Sequence, residues 1–232
     1  AHDSLGVPIR CTQNPTMGEE WRNGWHPEKI HTTKKRKRVL VVGSGPAGLE
    51  ASRVLGKMGH KVALAEKSRE LGGRIITEAK LPGLSEWIRV RDWRITQINK
   101  CENIEVFPGS FMTADSVLEL GYEDVVIATG ARWAKDSIGR HSDCNFKKAD
   151  MKMIVSGDEV LENPIKSKSK FVIYDDDHYY FGSVLALELK RQGHEVTLVS
   201  PAGRVCSWGE FTDEQTRSKT EKRRHQTHDI GK

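Results

Sequence analysis

Two stretches of the chain repeat one order of apolar and polar positions. An unbroken apolar run at residues 39–42 passes into a glycine-rich turn, then into a segment at 49–58 that reads as a helix. Gly59 ends that helix, and a second apolar run at 61–65 closes with Glu66. Continuous apolar runs bounded by glycine suit strands of a parallel sheet covered on both faces. The order returns at 170–174, 183–192 and 195–200, with Gly193 in the place of Gly59. Between the two, residues 84–100 read as a helix carrying Trp87, Trp93, Arg89, Arg91 and Arg94, and 104–107 as a short strand. A second short helix begins behind Thr113 as cap. The run at 124–128 predicts a further buried strand, and Thr129-Gly130-Ala131 follows it.

The remaining segments lack this order. Residues 1–33 have little periodicity and read as an extended connector arriving from something else; 135–170 are polar and irregular. Residues 212–229 contain no apolar side chain, so the stretch has no face to bury and is expected to be disordered. The expected fold class is α/β: a Rossmann-like, doubly wound domain of the FAD/NAD(P)-binding type with a second, degenerate nucleotide fold. The expected boundaries are 1–33 connector, 34–138 dinucleotide-binding domain, 139–211 second and incomplete domain, and 212–232 tail.

The turn after the first strand is Gly43-Ser44-Gly45-Pro46-Ala47-Gly48. In a strand–turn–helix context G-x-G-x-x-G has a mechanical reading: Gly43 makes the tight turn, Gly45 admits a pyrophosphate to the backbone, and Gly48 lets helix and strand pack closely. The helix N-terminus supplies free N–H groups and a positive dipole end to the phosphates. Glu66, 23 residues after Gly43, stands where an acidic side chain accepts hydrogen bonds from ribose hydroxyls. Gly72 and Gly73 let backbone pass near a bound adenosine, and Arg74 is placed to meet a phosphate or to serve as a plain surface arginine. Thr129 and Gly130 follow a parallel strand and so return toward the same site. The second turn, residues 175–182, begins Asp175-Asp176-Asp177-His178. Three carboxylates there would repel a pyrophosphate; a metal site is conceivable, but a solvated acidic turn is the expected reading.

Charge narrows the function classes. The chain carries 37 Lys and Arg against 32 Asp and Glu, but residues 34–38 hold five bases and 217–232 hold six bases and two acids. The body that remains is mildly acidic, which speaks against a nucleic-acid groove. The basic run at 34–38 reads as a solvated linker. Cys11, Cys101, Cys144 and Cys206 show neither C-x-x-C spacing nor the density of a secreted framework. Reduced thiols in a cytoplasmic protein are therefore expected. No apolar run reaches membrane length and no signal peptide is visible.

Several segments together resemble one family: Cys11-Thr12-Gln13-Asn14 with Gly18-Glu19-Glu20, Gly24-Trp25-His26-Pro27-Glu28-Lys29, the 43–48 fingerprint, Leu81-Pro82-Gly83 with Glu86-Trp87, and Ala128-Thr129-Gly130-Ala131-Arg132-Trp133. The chain is similar, from about residue 10 to about 216, to the trimethylamine, dimethylamine and histamine dehydrogenases, iron–sulfur flavoproteins related to dienoyl-CoA reductases. The resemblance implies a whole enzyme with a (β/α)8 barrel carrying FMN and the amine site, a 4Fe–4S cluster, and two nucleotide folds. The first fold of that family holds ADP where related enzymes hold FAD, and the second holds nothing. Cys11 matches the last of four cluster ligands; the other three, the barrel and the closing Gly-Asp segment have no counterpart in this sequence.

Motif and resemblance together name Gly43, Gly45, Pro46, Ala47, Gly48, Glu66, Lys67, Gly73, Arg74, Thr129 and Gly130 as contacts of ADP, or alternatively of FAD. No catalytic residue is expected in this chain. The implied parent oxidatively demethylates or deaminates a small amine and passes electrons through FMN and the cluster to an electron-transfer flavoprotein, as a homodimer. A reductase using FAD and NAD(P)H, and a non-catalytic module stabilised by its nucleotide, are the competing readings.

Overall fold

The structure, a computed structural model, describes residues 29–136, 138–139, 151–163, 165, 167–203 and 205–207, with Cys11, Met17, Gly18 and Trp21. The expected tail lies outside them, as does the expected connector apart from residues 29–33 and those four. The chain divides into two compact units, one holding the described residues through Lys80 with Leu84–Ala131, the other Leu81–Gly83 and the described residues from Arg132 onward.

The first unit is built on a four-stranded parallel sheet in the order β3-β2-β1-β4. Its strands are β1 (Arg38–Val42), β2 (Lys61–Glu66), β3 (Ile104–Pro108) and β4 (Asp124–Ile127). β1 and β2 are buried beyond their first residue, as continuous apolar runs require. One face packs Val41, Val62 and Leu64 with Leu49 of α1 (Pro46–Met58) and Ile98 of α3 (Ile88–Ile98). The other packs Leu40, Val42, Ala63 and Ala65 under Met112, Val117 and Tyr122. Helix α1 starts three residues earlier than its apolar pattern suggests, because Pro46 at the first position needs no hydrogen-bond donor there. Gly59, at φ +94°, ends it, and its N–H bonds the carbonyls of Gly56 and Leu55. A short helix α2 (Ile75–Glu78), unforeseen in the sequence, follows the second glycine pair.

Three expectations are met with changes. The 84–100 helix is a 3₁₀ turn at Ser85–Trp87 running into α3. Thr113 caps α4 (Ala114–Glu119) through a reciprocal pair with Ser116. The run at 124–128 forms β4, but as an edge strand with Ile127 66% exposed. The basic run at 34–38 is not simply a solvated linker: Lys37 Nζ pairs with Asp124 at 2.7 Å, and the Arg38 N–H donates to Glu123. Lys37 leads directly into β1, and Arg38 is its first residue.

The second unit has a parallel pair, β5 (Lys170–Tyr174) with β6 (Glu195–Val199), and α6 (Phe181–Arg191). Residues 135–170 are not wholly irregular. Helix α5 (Gly157–Glu162) stands there behind a capping box of Ser156 and Glu159. The Trp133 N–H donates to Asp158 at 2.8 Å, and the Trp133 ring stacks on Phe181. Arg132 pairs with Glu162. The Arg132-Trp133 pair thus has a structural task, fixing the chain to α5 and α6.

Candidate functional site

The site grows from the end of β1. The Gly43 N–H donates to the Ala65 carbonyl at 2.8 Å, which turns the chain from one parallel strand across the end of the next. Gly43 has φ +100°, and a Cβ there would press on the Ala128 carbonyl. A Cβ at Gly48 would strike the Gly43 carbonyl itself. Both glycines are demanded by the fold. Gly45 is not: its φ is −62°, open to any residue, and a Cβ on it would meet nothing within 4 Å. It caps α1 without a side chain, so the first turn of the helix presents its N–H groups past an unobstructed backbone. Pro46 and Ala47 are exposed beside it. That openness, at the one glycine of the 43–48 turn that the chain itself does not need, fits a phosphate group brought close to the backbone.

Glu66 ends β2 with 6% of its surface exposed. Its Oε2 accepts the backbone N–H and the hydroxyl of Ser44 at 2.8 and 2.7 Å, and its Oε1 accepts the Ser68 N–H at 2.8 Å. Burial alone would raise its pKa, but these donors outweigh it and hold the carboxyl below the ordinary glutamate value. The carboxylate is thus fixed beside the glycine turn by Ser44, a residue to which the motif assigns no task.

The other named residues fall around this centre. Gly73 is left-handed, at φ +58°, and a Cβ on it would come to 3.1 Å from Gly45 Cα, so its loop lies against the turn. The Gly72 N–H donates to Ser44 Oγ at 3.2 Å. Arg74 donates to the Ala131 carbonyl at 2.6 Å and approaches Glu78 at 3.7 Å. It therefore ties its loop to the segment after β4, which carries exposed Thr129 and Gly130. Lys67 is exposed next to Glu66.

The second turn has the same frame and different contents. The Asp175 N–H donates to the Val199 carbonyl, as Gly43 does to Ala65, and Gly193 follows α6 as Gly59 follows α1. The expected solvated acidic turn is corrected by the structure: Asp175 is 4% exposed and His178 is fully buried. His178 has φ +65°, and its backbone N–H donates to Asp175 Oδ1. Its Nδ1 lies 3.2 Å from Ser200 Oγ. A Cβ at Gly182 would come to 2.8 Å from Asp175 Cγ, so the carboxyl lies against the first turn of α6. Burial pushes that carboxyl above the usual aspartate value, only partly offset by His178. Among the described residues no cluster of His, Cys, Asp and Glu could hold a metal ion. Cys11 is exposed, Cys101 half-buried and Cys206 buried, and Cys144 lies outside the described residues. Nor is any helix among the described residues long and apolar enough to cross a membrane.

The pyridine nucleotide-disulphide oxidoreductase family matches residues 37–173. A dimethylamine dehydrogenase of Hyphomicrobium is 39% identical over 90% of this chain and 29% of its own length. A 6-hydroxypseudooxynicotine amine oxidase of Pseudomonas geniculata superposes with TM-score 0.86 at 35% identity, over 96% of this chain and 33% of that one. For a histamine dehydrogenase of a Rhizobium species the TM-score is 0.81 at 42% identity, over 92% and 31%. The chain thus spans about a third of the length of these relatives. It belongs to the pyridine nucleotide-disulphide oxidoreductase family, and its likeness to the amine dehydrogenases, first met in the sequence, holds.

Proposed function

We propose that this chain binds an adenine nucleotide, ADP or the ADP half of FAD, as the nucleotide-binding portion of an amine dehydrogenase-like flavin oxidoreductase. The observation that carries this reading is the open approach to Gly45 beside a Glu66 carboxylate kept ionised by three donors. The N–H groups of Pro46's successors, Ala47 and Gly48, would receive the phosphates, and Glu66 would accept from the ribose hydroxyls. An anionic Glu66 also disfavours a ribose bearing a 2′-phosphate. Gly73, Arg74, Thr129 and Gly130 would shape the rim, with Lys67 exposed at its edge. A bound FAD would add electron-transfer chemistry; a bound ADP would add none and would serve as part of the packed interior.

In the whole protein this portion would accompany FMN and a 4Fe–4S cluster, with Cys11 as one cluster ligand, and electrons taken from a small amine would leave to an electron-transfer flavoprotein. The homodimer belongs to the same reading. A reductase taking NAD(P)H at the second turn is disfavoured, because Asp175 and His178 fill the ground a dinucleotide would need. The test is acid release and mass identification of nucleotide from the purified chain. ADP or FAD in near one-to-one amount is expected. A chain that carries neither, and takes up neither on titration, would overturn the proposal.

A further inference from the structure

Ser44 stands between Gly43 and Gly45 and is fully buried. Its hydroxyl has one proton to give and lone pairs to receive with. The Gly72 N–H donates to Ser44 Oγ at 3.2 Å, and the hydroxyl proton is given to Glu66 Oε2 at 2.7 Å. The Ser44 backbone N–H, which any residue would supply, reaches the same oxygen at 2.8 Å. One hydroxyl therefore joins three segments: the glycine turn, the end of β2, and the loop of Gly72, Gly73 and Arg74. That loop is held a second time where Arg74 bonds the Ala131 carbonyl.

We propose that Ser44 is a positioning residue for nucleotide binding, its hydroxyl aiming the Glu66 carboxylate and tying loop 72–74 to it. The proposal rests on the reading of the first turn as a nucleotide site. An alanine would keep the turn and the backbone N–H but leave the Gly72 N–H without its acceptor and remove one of the carboxylate's three donors. Losing a donor to a buried carboxylate disfavours the ionised form and the orientation together. The groups acting on Glu66 are Ser44 from the β1–α1 turn and Ser68 from the end of β2, while the Ser110 N–H beyond β3 takes the Glu66 main-chain carbonyl. No charged side chain among the described residues pairs with it.

Ser44→Ala and Glu66→Gln, made singly and together in the full chain, test this by two readouts between pH 4 and 8. One is ADP affinity by calorimetry; the other is thermal unfolding without nucleotide. Ser44→Ala should weaken ADP about tenfold at neutral pH, the scale of one hydrogen bond to a charged group. In binding its acid limb should begin at a higher pH than in the wild type; in nucleotide-free unfolding the stability lost on acidification should be smaller and complete at a higher pH. In the Glu66→Gln background the Glu66 share of the acid limb should be gone, that of Glu50 remaining, and Ser44→Ala should add less than about twofold. Wild-type affinity with an unmoved acid limb, or the same shift in the Glu66→Gln background, would overturn the proposal. If the wild type binds no ADP, the nucleotide reading fails; the nucleotide-free unfolding profile then still decides whether Ser44 sets Glu66.

Discussion

The two βαβ units share a frame and differ in what occupies their turns. In both, a strand of five residues enters the turn, a helix follows, and a left-handed glycine precedes a buried histidine whose Nδ1 accepts a main-chain N–H. His60 accepts from Lys37 and His194 from Ser169. The turns then diverge. From Gly43 to Gly48 the chain is short and its outer side is open at Gly45; from Asp175 to Gly182 it is two residues longer, with Asp175 and His178 buried and Tyr179 exposed. Glu66 ends the second strand of the first unit, and Ser200 stands at the corresponding place in the second. The turn residue bonded to it is Ser44 in one case and His178 in the other. On the proposed reading, the open turn with its carboxylate acceptor would take an anion with a ribose behind it. A turn filled by its own carboxyl and imidazole is complete as it stands.

The largest expected effect separates the glycines that close each turn. Gly48→Ala drives a Cβ into backbone, and the stability of the first unit should fall by about 3 kcal/mol in denaturant titration, the upper range for overpacking. Gly182→Ala meets a side chain instead, so Asp175→Gly in the same protein should recover part of its loss. No second-site change at a side chain should rescue Gly48→Ala; a rescue would mean that the two turns close by the same contact.

A smaller effect concerns pH, with opposite signs for the two carboxyls. The folded pKa of Glu66 lies below its unfolded value, so its contribution is present above the ordinary carboxylate range and is lost as pH falls through the folded value. That of Asp175 is raised, so its contribution is complete below the ordinary range and is lost as pH rises through the folded value. Asp175→Asn should therefore leave the melting temperature near that of the wild type at pH 4 and raise it at pH 8. A melting profile in which the substitution acts equally at both ends would show that Asp175 titrates as an ordinary surface group.

The smallest expected effect is none. NADH or NADPH should show no saturable binding that survives Gly45→Val and is lost on changing Asp175, Asp176 and Asp177 together. Such binding would show that the second turn opens to a dinucleotide.

Much of this contrast was legible in the residues. The apolar runs at 39–42, 61–65 and 170–174 are bounded by glycine or charge and pair in parallel, so pattern alone places them as strands; the first two are buried as expected, whereas β5 leaves Val172 73% exposed. The spacing of Gly43, Gly45, Gly48 and Glu66 points to the proposed site: Gly43 and Gly48 answer backbone requirements of the fold, while Gly45 and Glu66 answer the proposed ligand. What escaped depended on packing across the sequence. Asp175, Asp176 and Asp177 read as solvated because carboxylates favour water, and only the docking of α6 on β5 and β6 encloses Asp175. His178 is left-handed without being glycine, which no local pattern announces. Helix α5 was within reach: Ser156 and Glu159 spell a capping box before Val160-Leu161, inside a stretch whose polarity hid it. Ser44 was passed over because the motif treats its position as free. A hydroxyl between two glycines, with an acid at the end of the next strand, was the available signal.

The central claim is that the chain's nucleotide sits at the first turn and approaches it through Gly45. Calorimetric titration of ADP into nucleotide-free wild-type and Gly45→Val chains tests it most directly, with thermal unfolding measured alongside. A Cβ at this position meets no protein atom within 4 Å, so the variant should fold with a melting temperature close to that of the wild type. The wild type should bind one ADP per chain, and Gly45→Val should bind none, its side chain standing where the pyrophosphate meets the backbone. A folded Gly45→Val chain that binds ADP with undiminished affinity would contradict the account.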